Sequence, residues 1–450
     1  MYDAATVALA AQRQAQSFPL SQSKQVGREP ERFTPYEPRT LEETGLTRVN
    51  IEGLILKYLQ SCGNANGREI SEQVKLPFAL VREILSALKS ELLVAYKSEA
   101  AMSDYEYELT PSGFDRARRH MDRCTYFGAA PVPIEDYFPS VALQSIRNSK
   151  PRIDTLCKAF SDLVVPLSIV SQVGQALNSG RALFLYGAPG NGKTSIAERV
   201  IRAVASEIWI PRTISITGEI IRLYDPSCHE AASSELDPDS LPEGRRIDER
   251  WIRIKRPTII VGGELHLRQL DFHMNEQTGI NEAPIQLKSN GGSLVIDDFG
   301  RQQCSNAELL NRWIVPLEKG HDYLTLASGR QLQVPFDQFL MFATNLLPRD
   351  LVDEAFLRRI PYKIQVPNPS IADLHKLFGN IVADYGFEYD EALVNYLLRF
   401  HIVEKKRPLR SCLARDILEL AHNFCEFHHQ PYQLTREVLD IAVTNYYAGL

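Results

Sequence analysis

The chain has 450 residues, with 50 basic and 56 acidic side chains and a formal net charge of −6. A chain of this length divides into roughly two to four domains, and the near balance of charge excludes a basic footprint over the whole surface. The seven cysteines are scattered without a C-x-x-C pair, which argues against a disulfide scaffold or a zinc site. No apolar run approaches about 18 residues, so we expect a cytoplasmic protein with no membrane partner.

The N-terminal third of the sequence divides into a tail and a small helical domain. Residues 1–45 are rich in Gln, Pro, Ser, Arg and Glu and lack periodicity, which predicts a flexible tail. Within residues 46–126, apolar spacing predicts three helices followed by two strands: Ile51–Leu59, Glu69–Val74, a helix from Pro77, Leu92–Tyr96 and Tyr105–Leu109. This order of elements is typical of a winged helix-turn-helix domain.

Two roles are open for this winged-helix-like domain, protein docking or regulation on one hand and nucleic-acid contact on the other. Its candidate recognition helix, Phe78–Glu91, balances Arg82 and Lys89 against Glu83 and Glu91. A helix that reads a DNA groove is expected to carry a basic stripe, so the mixed charge favours protein docking. Residues 127–142, which begin with a Gly- and Pro-containing stretch, are predicted to be a linker.

The remainder of the chain predicts an α/β domain followed by helices. Over residues 143–369 strand and helix patterns alternate, which indicates a parallel sheet, whereas residues 370–450 are predicted to be helical. The apolar strand Ala182–Tyr186 leads into a phosphate-binding loop of the form G-x-x-x-x-G-K-[ST], and a helix follows. The residues predicted to bind nucleotide are Gly187, Ala188, Pro189, Gly190, Asn191, Gly192, Lys193, Thr194 and Ser195.

The residue types of this loop match the chemistry of a nucleoside triphosphate. Glycines let backbone N–H groups turn toward an anion, and the positive end of the helix dipole lies behind them. We expect Lys193 to reach the β- and γ-phosphates of ATP and the Thr194 hydroxyl to hold Mg²⁺.

Three later segments supply candidate catalytic groups. The strand from Ser293 ends in Asp297, predicted as a second Mg²⁺ ligand, and Asp298, predicted to polarise the attacking water. The buried strand from Leu340 ends in Asn345, which is suited to bind the γ-phosphate or that water. Two arginines at the end of a predicted helix, Arg358 and Arg359, suit an arginine finger.

In this order, the motifs resemble those of the AAA+ ATPases, from about residue 162 to the C-terminus. The matching positions are Asp297 and Asp298 for Walker B, Asn345 for sensor 1, Arg359 or Arg358 for the arginine finger, and Arg415, with Arg410 as the alternate, for sensor 2 in the helical lid. The chain departs from the family at Asp298, where Glu is usual. Set against the resemblance, this shorter side chain implies either that the strand is shifted to compensate for the missing methylene or that hydrolysis is slow.

A predicted hairpin over Tyr323–Val334, with its turn at Ser328 and Gly329, is similar to the pre-sensor-1 hairpin of the clade that includes the MoxR-like ATPases. The resemblance implies a homo-oligomeric ring, with a hexamer favoured, and a pore element within Gly262–Lys288. We therefore expect an ATP-hydrolysing ring that remodels a protein client. The alternatives are a DNA-acting motor or transcription regulator and a scaffold that binds ATP but turns over slowly.

Overall fold

A computed structural model describes residues 33–204, 207–232, 242, 244–326, 329–352 and 354–448. Residues 1–32, most of the predicted tail, and the hairpin turn residue Ser328 lie outside these ranges. No helix within them is long and apolar enough to cross a membrane. The described chain is a mixed α/β structure with a parallel sheet at its centre.

An N-terminal unit, residues 48–121, combines four helices with a three-stranded antiparallel sheet. The helices are Arg48–Cys62, Gly67–Val74, Phe78–Ser90 and Pro111–Met121, and the strands are Asn64–Asn66, Val94–Ala100 and Asp104–Leu109. The last of these strands lies in the middle of the sheet. Val81, Leu85 and Leu88 are fully buried at helical spacing, as their pattern predicts. The short strand from Asn64 was missed, because its polar sequence was interpreted as a break between helices.

The part of the predicted tail that the structure describes is folded against the rest of the molecule. Tyr36 forms a β-bridge with Ile247, and Thr44 is fully buried. The Arg250 guanidinium, itself buried and paired with Asp248 at 2.8 Å, donates to the Thr44 carbonyl at 2.9 Å. The prediction of a flexible tail up to residue 45 is therefore wrong for residues 33–45. These tertiary contacts involve residues some 200 positions away and leave no local periodicity.

The predicted linker, residues 127–142, is also folded. It contains the strand Val132–Pro133 and most of the helix Ile134–Leu143, and the Val132 and Tyr137 side chains are buried. Pro133 ends the strand and stands just before the helix, where its fixed φ and missing N–H are tolerated. The prolines that suggested a linker thus mark the junction between two packed elements.

Five parallel strands form the central sheet. Across the sheet they run in the order Thr258–Val261, Ser293–Ile296, Phe339–Thr344, Leu183–Tyr186 and Tyr362–Gln365. Successive side chains point to opposite faces, so Leu183 and Leu185 pack in one apolar cluster and Phe184 in another. The parallel α/β prediction is confirmed for this sheet, and the carboxyl ends of all five strands lie along one edge.

A second five-stranded sheet, of mixed orientation, was not predicted. Its strands, in spatial order, are His273–Asn275, Ile280–Glu282, Glu219–Arg222, Thr213–Ile216 and Val132–Pro133. The strand Thr213–Ile216 thus lies outside the central parallel sheet. Two further antiparallel pairs join Glu207–Pro211 with Trp251–Lys255 and His321–Thr325 with Gln331–Pro335. The last pair corresponds to the two strands of the predicted hairpin.

The helices that accompany the central sheet are Ile153–Ala159, Leu167–Ser179, Lys193–Val200, Ile285–Lys288, Asn306–Lys319, Pro348–Leu351 and Glu354–Arg359. The C-terminal helices, here named the lid, are Ile371–Ile381, Glu391–Tyr396, Leu413–Phe427 and Arg436–Tyr446, with a π-helical segment at Leu397–Val403. The lid has its own apolar core, centred on the fully buried Leu374, Leu397 and Ile417.

Candidate nucleotide-binding site

The phosphate loop connects the strand Leu183–Tyr186 to the helix Lys193–Val200 at the carboxyl edge of the central sheet. Gly187, Gly190 and Gly192 have φ values of +148°, +78° and +76°, a backbone region that side chains with a Cβ rarely enter. Within the described residues, the N–H groups of Gly190 and Gly192 donate no hydrogen bond. Together with the unpaired N–H groups of the first helical turn, they leave a concave row of donors suited to phosphate.

Lys193 lies buried in the floor of this loop, with 7% of its surface exposed. Its Nζ donates to the Gly187 and Ala188 carbonyls at 3.1 and 3.0 Å and to the Oδ1 of Asn345 at 2.7 Å. Burial lowers the pKa of Lys193, and the carboxylates of Asp297 and Asp298 oppose this shift. The ammonium is therefore held at the loop by neutral oxygens, which an anionic phosphate can replace.

Thr194 and Asp297 meet behind the loop, as the prediction of a shared metal site requires. The Thr194 hydroxyl donates to the Oδ2 of Asp297 at 2.6 Å. The Asp297 backbone N–H donates to the Val261 carbonyl at 2.8 Å, which fixes the acidic turn to the neighbouring strand. A hydroxyl and a carboxylate beside a phosphate site form an oxygen donor set that fits Mg²⁺ with several waters or phosphate oxygens in the remaining positions.

Asp298 and Asn345 follow neighbouring strands of the central sheet, and their side chains are hydrogen-bonded to each other. The Asn345 Nδ2 donates to the Oδ1 of Asp298 at 3.0 Å, so one carboxamide joins Asp298 to Lys193. Asp298 is exposed and has a φ of +44°, and its carbonyl accepts from the Arg301 N–H at 3.0 Å. This tight left-handed turn directs the Asp298 backbone away from the strand.

The phosphate loop also contacts the segment after the last sheet strand and the lid, through two residues that the sequence did not single out, Asn368 and Cys412. The Asn191 Nδ2 donates to the Oδ1 of Asn368 at 2.9 Å, and the Cys412 N–H donates to the Gly190 carbonyl at 2.8 Å. Asn368 follows the last strand of the central sheet by three residues. The rule that located Asp297 and Asn345, a polar residue just beyond a parallel strand, would have located Asn368 as well.

The two candidate sensor 2 arginines occupy different surroundings. Arg410 donates to the Oδ1 of Asn368 at 2.5 Å, and its Cβ lies 3.9 Å from where a Cβ on Gly190 would stand, so it lies at the phosphate loop. Arg415 pairs with its neighbour Asp416 at 3.1 Å, and its side chain is 65% exposed. The structure thus brings the alternate, Arg410, to the loop, whereas within the described chain Arg415 makes no hydrogen bond or ion pair with a loop residue.

The two arginine-finger candidates do not reach the loop of their own chain. Arg359 pairs with Glu318 at 2.6 Å and lines a small cleft with Arg181 and Gln338, at the amino ends of two sheet strands. The phosphate loop follows the opposite end of one of those strands. Arg358 pairs with Glu354 at 3.3 Å, and its side chain is 77% exposed.

One known protein family matches the C-terminal part of the chain. Residues 370–445 match a family described as a domain of unknown function, DUF8689. No curated protein has significant sequence similarity to the chain.

Three solved structures are similar in fold to parts of the chain. A point mutant of RuvB from Thermotoga maritima is 10% identical over 68% of this chain and 73% of that one, with a TM-score of 0.35. The RuvB Holliday junction branch migration motor of the same organism is 10% identical over 62% and 68%, with a TM-score of 0.35. NtrX from Brucella abortus, in complex with ATP, is 12% identical over 61% and 52%, with a TM-score of 0.38. Because each TM-score lies below 0.5, these likenesses do not establish a function for this chain.

Proposed function

We propose that this protein is an AAA+ ATPase that binds ATP with Mg²⁺ and hydrolyses it. The observation that carries the proposal is the convergence of Lys193, Thr194, Asp297, Asp298 and Asn345 at one sheet edge through three side-chain hydrogen bonds. These residues lie at two strand ends and one helix start, and a chance glycine turn would not bring them together. Each carries a group that phosphoryl transfer to water requires.

The proposed roles follow from the contacts. The loop N–H groups and Lys193 bind the phosphates, and Thr194 with Asp297 holds Mg²⁺, which supplies charge stabilisation when bound. Asp298 orients a water molecule, because it is the exposed carboxylate of the pair. Asn345, which hydrogen-bonds both Asp298 and Lys193, is placed to sense the γ-phosphate. Water attacks the γ-phosphorus, the bond to the β,γ-bridging oxygen breaks, and ADP and phosphate leave.

We further propose that hydrolysis requires a second copy of the chain. A strand rises about 3.3 Å per residue, so an arginine at the amino end of a four-residue strand lies too far from the phosphate loop at its carboxyl end to contact the same nucleotide. A finger at Arg359, or at the more exposed Arg358, therefore acts on the nucleotide of a neighbour. This reasoning supports a homo-oligomer, with a hexameric ring as the favoured form.

For the N-terminal unit, which we propose is a winged-helix domain, protein docking is the favoured role. In the helix Phe78–Ser90 the Lys89 ammonium lies 3.4 Å from the centre of the Tyr96 ring. Just beyond that helix, Glu91 pairs with Arg48 at 2.6 Å. A cation already engaged in this way gives little free positive charge for a DNA groove. The ATPase cycle would then remodel a protein client, and tight, steeply salt-dependent binding to plain duplex DNA would contradict this role.

Lys193→Ala tests the ATPase proposal directly. The variant should lose detectable ATP binding by fluorescence titration, because the loop loses the ammonium that faces the phosphates. The matched control is Lys376→Ala, a lid lysine outside the loop, which should bind ATP as the wild type does. Near wild-type affinity in Lys193→Ala would show that ATP does not occupy this loop.

One observation favours a second candidate, a scaffold that binds ATP but turns over slowly. Asp298 is one methylene shorter than the Glu that the resemblance implies at this position, so its carboxylate lies further from a water at the γ-phosphate. Phosphate release measured against ATP binding separates the two functions. Saturable binding with no release above background would identify the scaffold.

A further inference from the structure

The phosphate loop and the lid are in direct contact. The Gly190 carbonyl accepts a hydrogen bond from the Cys412 N–H at 2.8 Å. A Cβ placed on Gly190 would lie only 2.5 Å from the Cys412 Sγ, closer than two such atoms approach in proteins. The crest of the loop is therefore packed against the lid segment Arg410–Cys412 without room for a side chain.

Asn191 makes all its side-chain hydrogen bonds to residues outside the phosphate loop, in the segment after the last sheet strand and in the lid. Its Nδ2 donates to the Asn368 Oδ1 at 2.9 Å and to the Pro367 carbonyl at 3.2 Å, and its Oδ1 accepts from the Ser411 N–H at 3.3 Å. The residue is 5% exposed. A buried carboxamide with three partners outside its own loop fixes the relative position of the elements it joins.

Asn368 extends the connection to a charged group of the lid. Its Oδ1 accepts from Asn191 and from the Arg410 guanidinium, the latter at 2.5 Å. The Arg410 Cβ also lies 3.9 Å from where a Cβ on Gly190 would stand. The same oxygen thus ties the phosphate loop to an arginine of the lid.

We propose that Asn191 is a positioning residue that, with Asn368, latches the lid to the phosphate loop and transmits the state of the loop to the lid. The inference rests on the proposed ATPase function. Hydrogen bonds are directional, so a loop that wraps around a triphosphate changes the geometry at Asn191. The triphosphate is also a stronger partner for Arg410 than the neutral Asn368 oxygen. Nucleotide binding would then loosen both halves of the latch.

Hydrogen exchange at the Ser411 and Cys412 amides tests the latch in the full-length protein. Without nucleotide, the exchange rates of these two amides should be about 5- to 10-fold higher in Asn191→Ala than in the wild type, because the variant lacks the side chain that orders the segment. Adding a non-hydrolysable ATP analogue should accelerate the same amides in the wild type and change them little in Asn191→Ala. Asn423→Ala, an exposed lid asparagine, should behave as the wild type in both arms.

Steady-state kinetics distinguish positioning from a general loss of structure. Asn191→Ala keeps the loop backbone, so kcat should fall more than KM rises. Asn368→Ala should give the same exchange phenotype, and the double variant should add little to either single change. Asn368→Ala also decides the question if Asn191→Ala does not fold.

The latch proposal would be wrong if the exchange rates of the Ser411 and Cys412 amides were unchanged in both variants, with and without nucleotide. The exchange measurement without nucleotide does not depend on ATP binding, so it tests the latch separately from the ATPase proposal. If the wild type bound no ATP, the ATPase proposal would fail, and the nucleotide-free exchange rates would still show whether Asn191 holds the lid.

Discussion

The Nζ of Lys193 lies 2.7 Å from the Oδ1 of Asn345, although 152 residues separate them in the chain. The order of the parallel strands explains the contact. The strand that ends at Asn345 lies between the strand of the phosphate loop and the strand of Asp297 and Asp298. The topology thus places the Asn345 side chain where it touches both Lys193 and Asp298.

Asp298→Asn should keep ATP binding and lose most turnover, at least about 100-fold by analogy with the loss of a general base. The carboxamide retains the shape of the side chain but is a much weaker acceptor for a proton from water. Phosphate release at saturating ATP measures the effect. Unchanged release would assign the role of base to another group.

Asp298→Glu is the complementary change. It lengthens the side chain by one methylene and restores the residue that is usual in the family that the motifs resemble. A large gain in kcat would show that the native Asp limits hydrolysis. A loss would show that the left-handed turn at Asp298 already places the shorter carboxylate correctly, since a longer side chain would then overreach the water.

Arg410→Ala should reduce ATP affinity and turnover more than Arg415→Ala does. Arg410 lies at the loop beside Asn368, whereas Arg415 pairs with Asp416 on an exposed surface. Exposed pairs of this kind contribute little to stability, so Arg415→Ala should also unfold at nearly the wild-type denaturant concentration. Titration with a fluorescent ATP analogue and a phosphate-release assay compare the two variants. A larger effect of Arg415→Ala would restore the original sensor 2 assignment.

The positions of the polar groups at strand ends could be predicted from the sequence, because a parallel strand is a local pattern and its carboxyl end has a fixed place in the sheet. Lys193, Thr194, Asp297, Asp298 and Asn345 are in contact at this edge, and their roles in binding and hydrolysis stay predictions. The choice between Arg410 and Arg415 could not be made in this way. Arg410 precedes one helix of the lid and Arg415 lies in its first turn, and only the packing of the lid on the loop decides which of them lies at the phosphate loop.

The parts of the fold that were missed share a physical cause. The second sheet consists of strands of two to four residues, too short for an alternating pattern to rise above chance. The folded segment before residue 46 is held by distant partners such as Arg250 and Ile247. Neither feature is encoded in spacing along the chain, so periodicity gave no signal for it.

Asp225→Asn should destabilise the protein by about 1.5–3 kcal/mol at pH 7, the range for a hydrogen bond to a charged group. Partial burial acts to raise the pKa of Asp225, but hydrogen bonds from Lys288 at 2.7 Å and from Ser227 hold it well below its usual range. Lys288, which is largely buried, would lose its closest charge partner. Urea unfolding at several pH values measures the difference.

The sign of the pH dependence follows from the lowered pKa. The ionised Asp225 stabilises the fold at pH values above the unfolded pKa of about 3.9, and this stabilisation is lost as the pH falls below it toward the folded pKa. The difference in the free energy of unfolding between the wild type and Asp225→Asn should therefore decrease below about pH 4. The control is Asp384→Asn, at an exposed carboxylate of the lid, which should unfold with nearly the wild-type free energy at every pH. A difference in the free energy of unfolding for Asp225→Asn that did not change with pH would contradict the ion-pair explanation.

Arg359→Ala should bind ATP normally and fail to hydrolyse it, because we propose that this arginine acts on the nucleotide of a neighbouring copy. Mixing is the decisive measurement. Arg359→Ala subunits have an intact phosphate loop, and Lys193→Ala subunits have an intact finger, so a mixture of the two inactive proteins should recover part of the wild-type phosphate release. Arg358→Ala in the same mixture shows which of the adjacent arginines is the finger. Demonstrated co-assembly without recovery for either arginine, or full activity in a dilute monomer, would rule out action in trans.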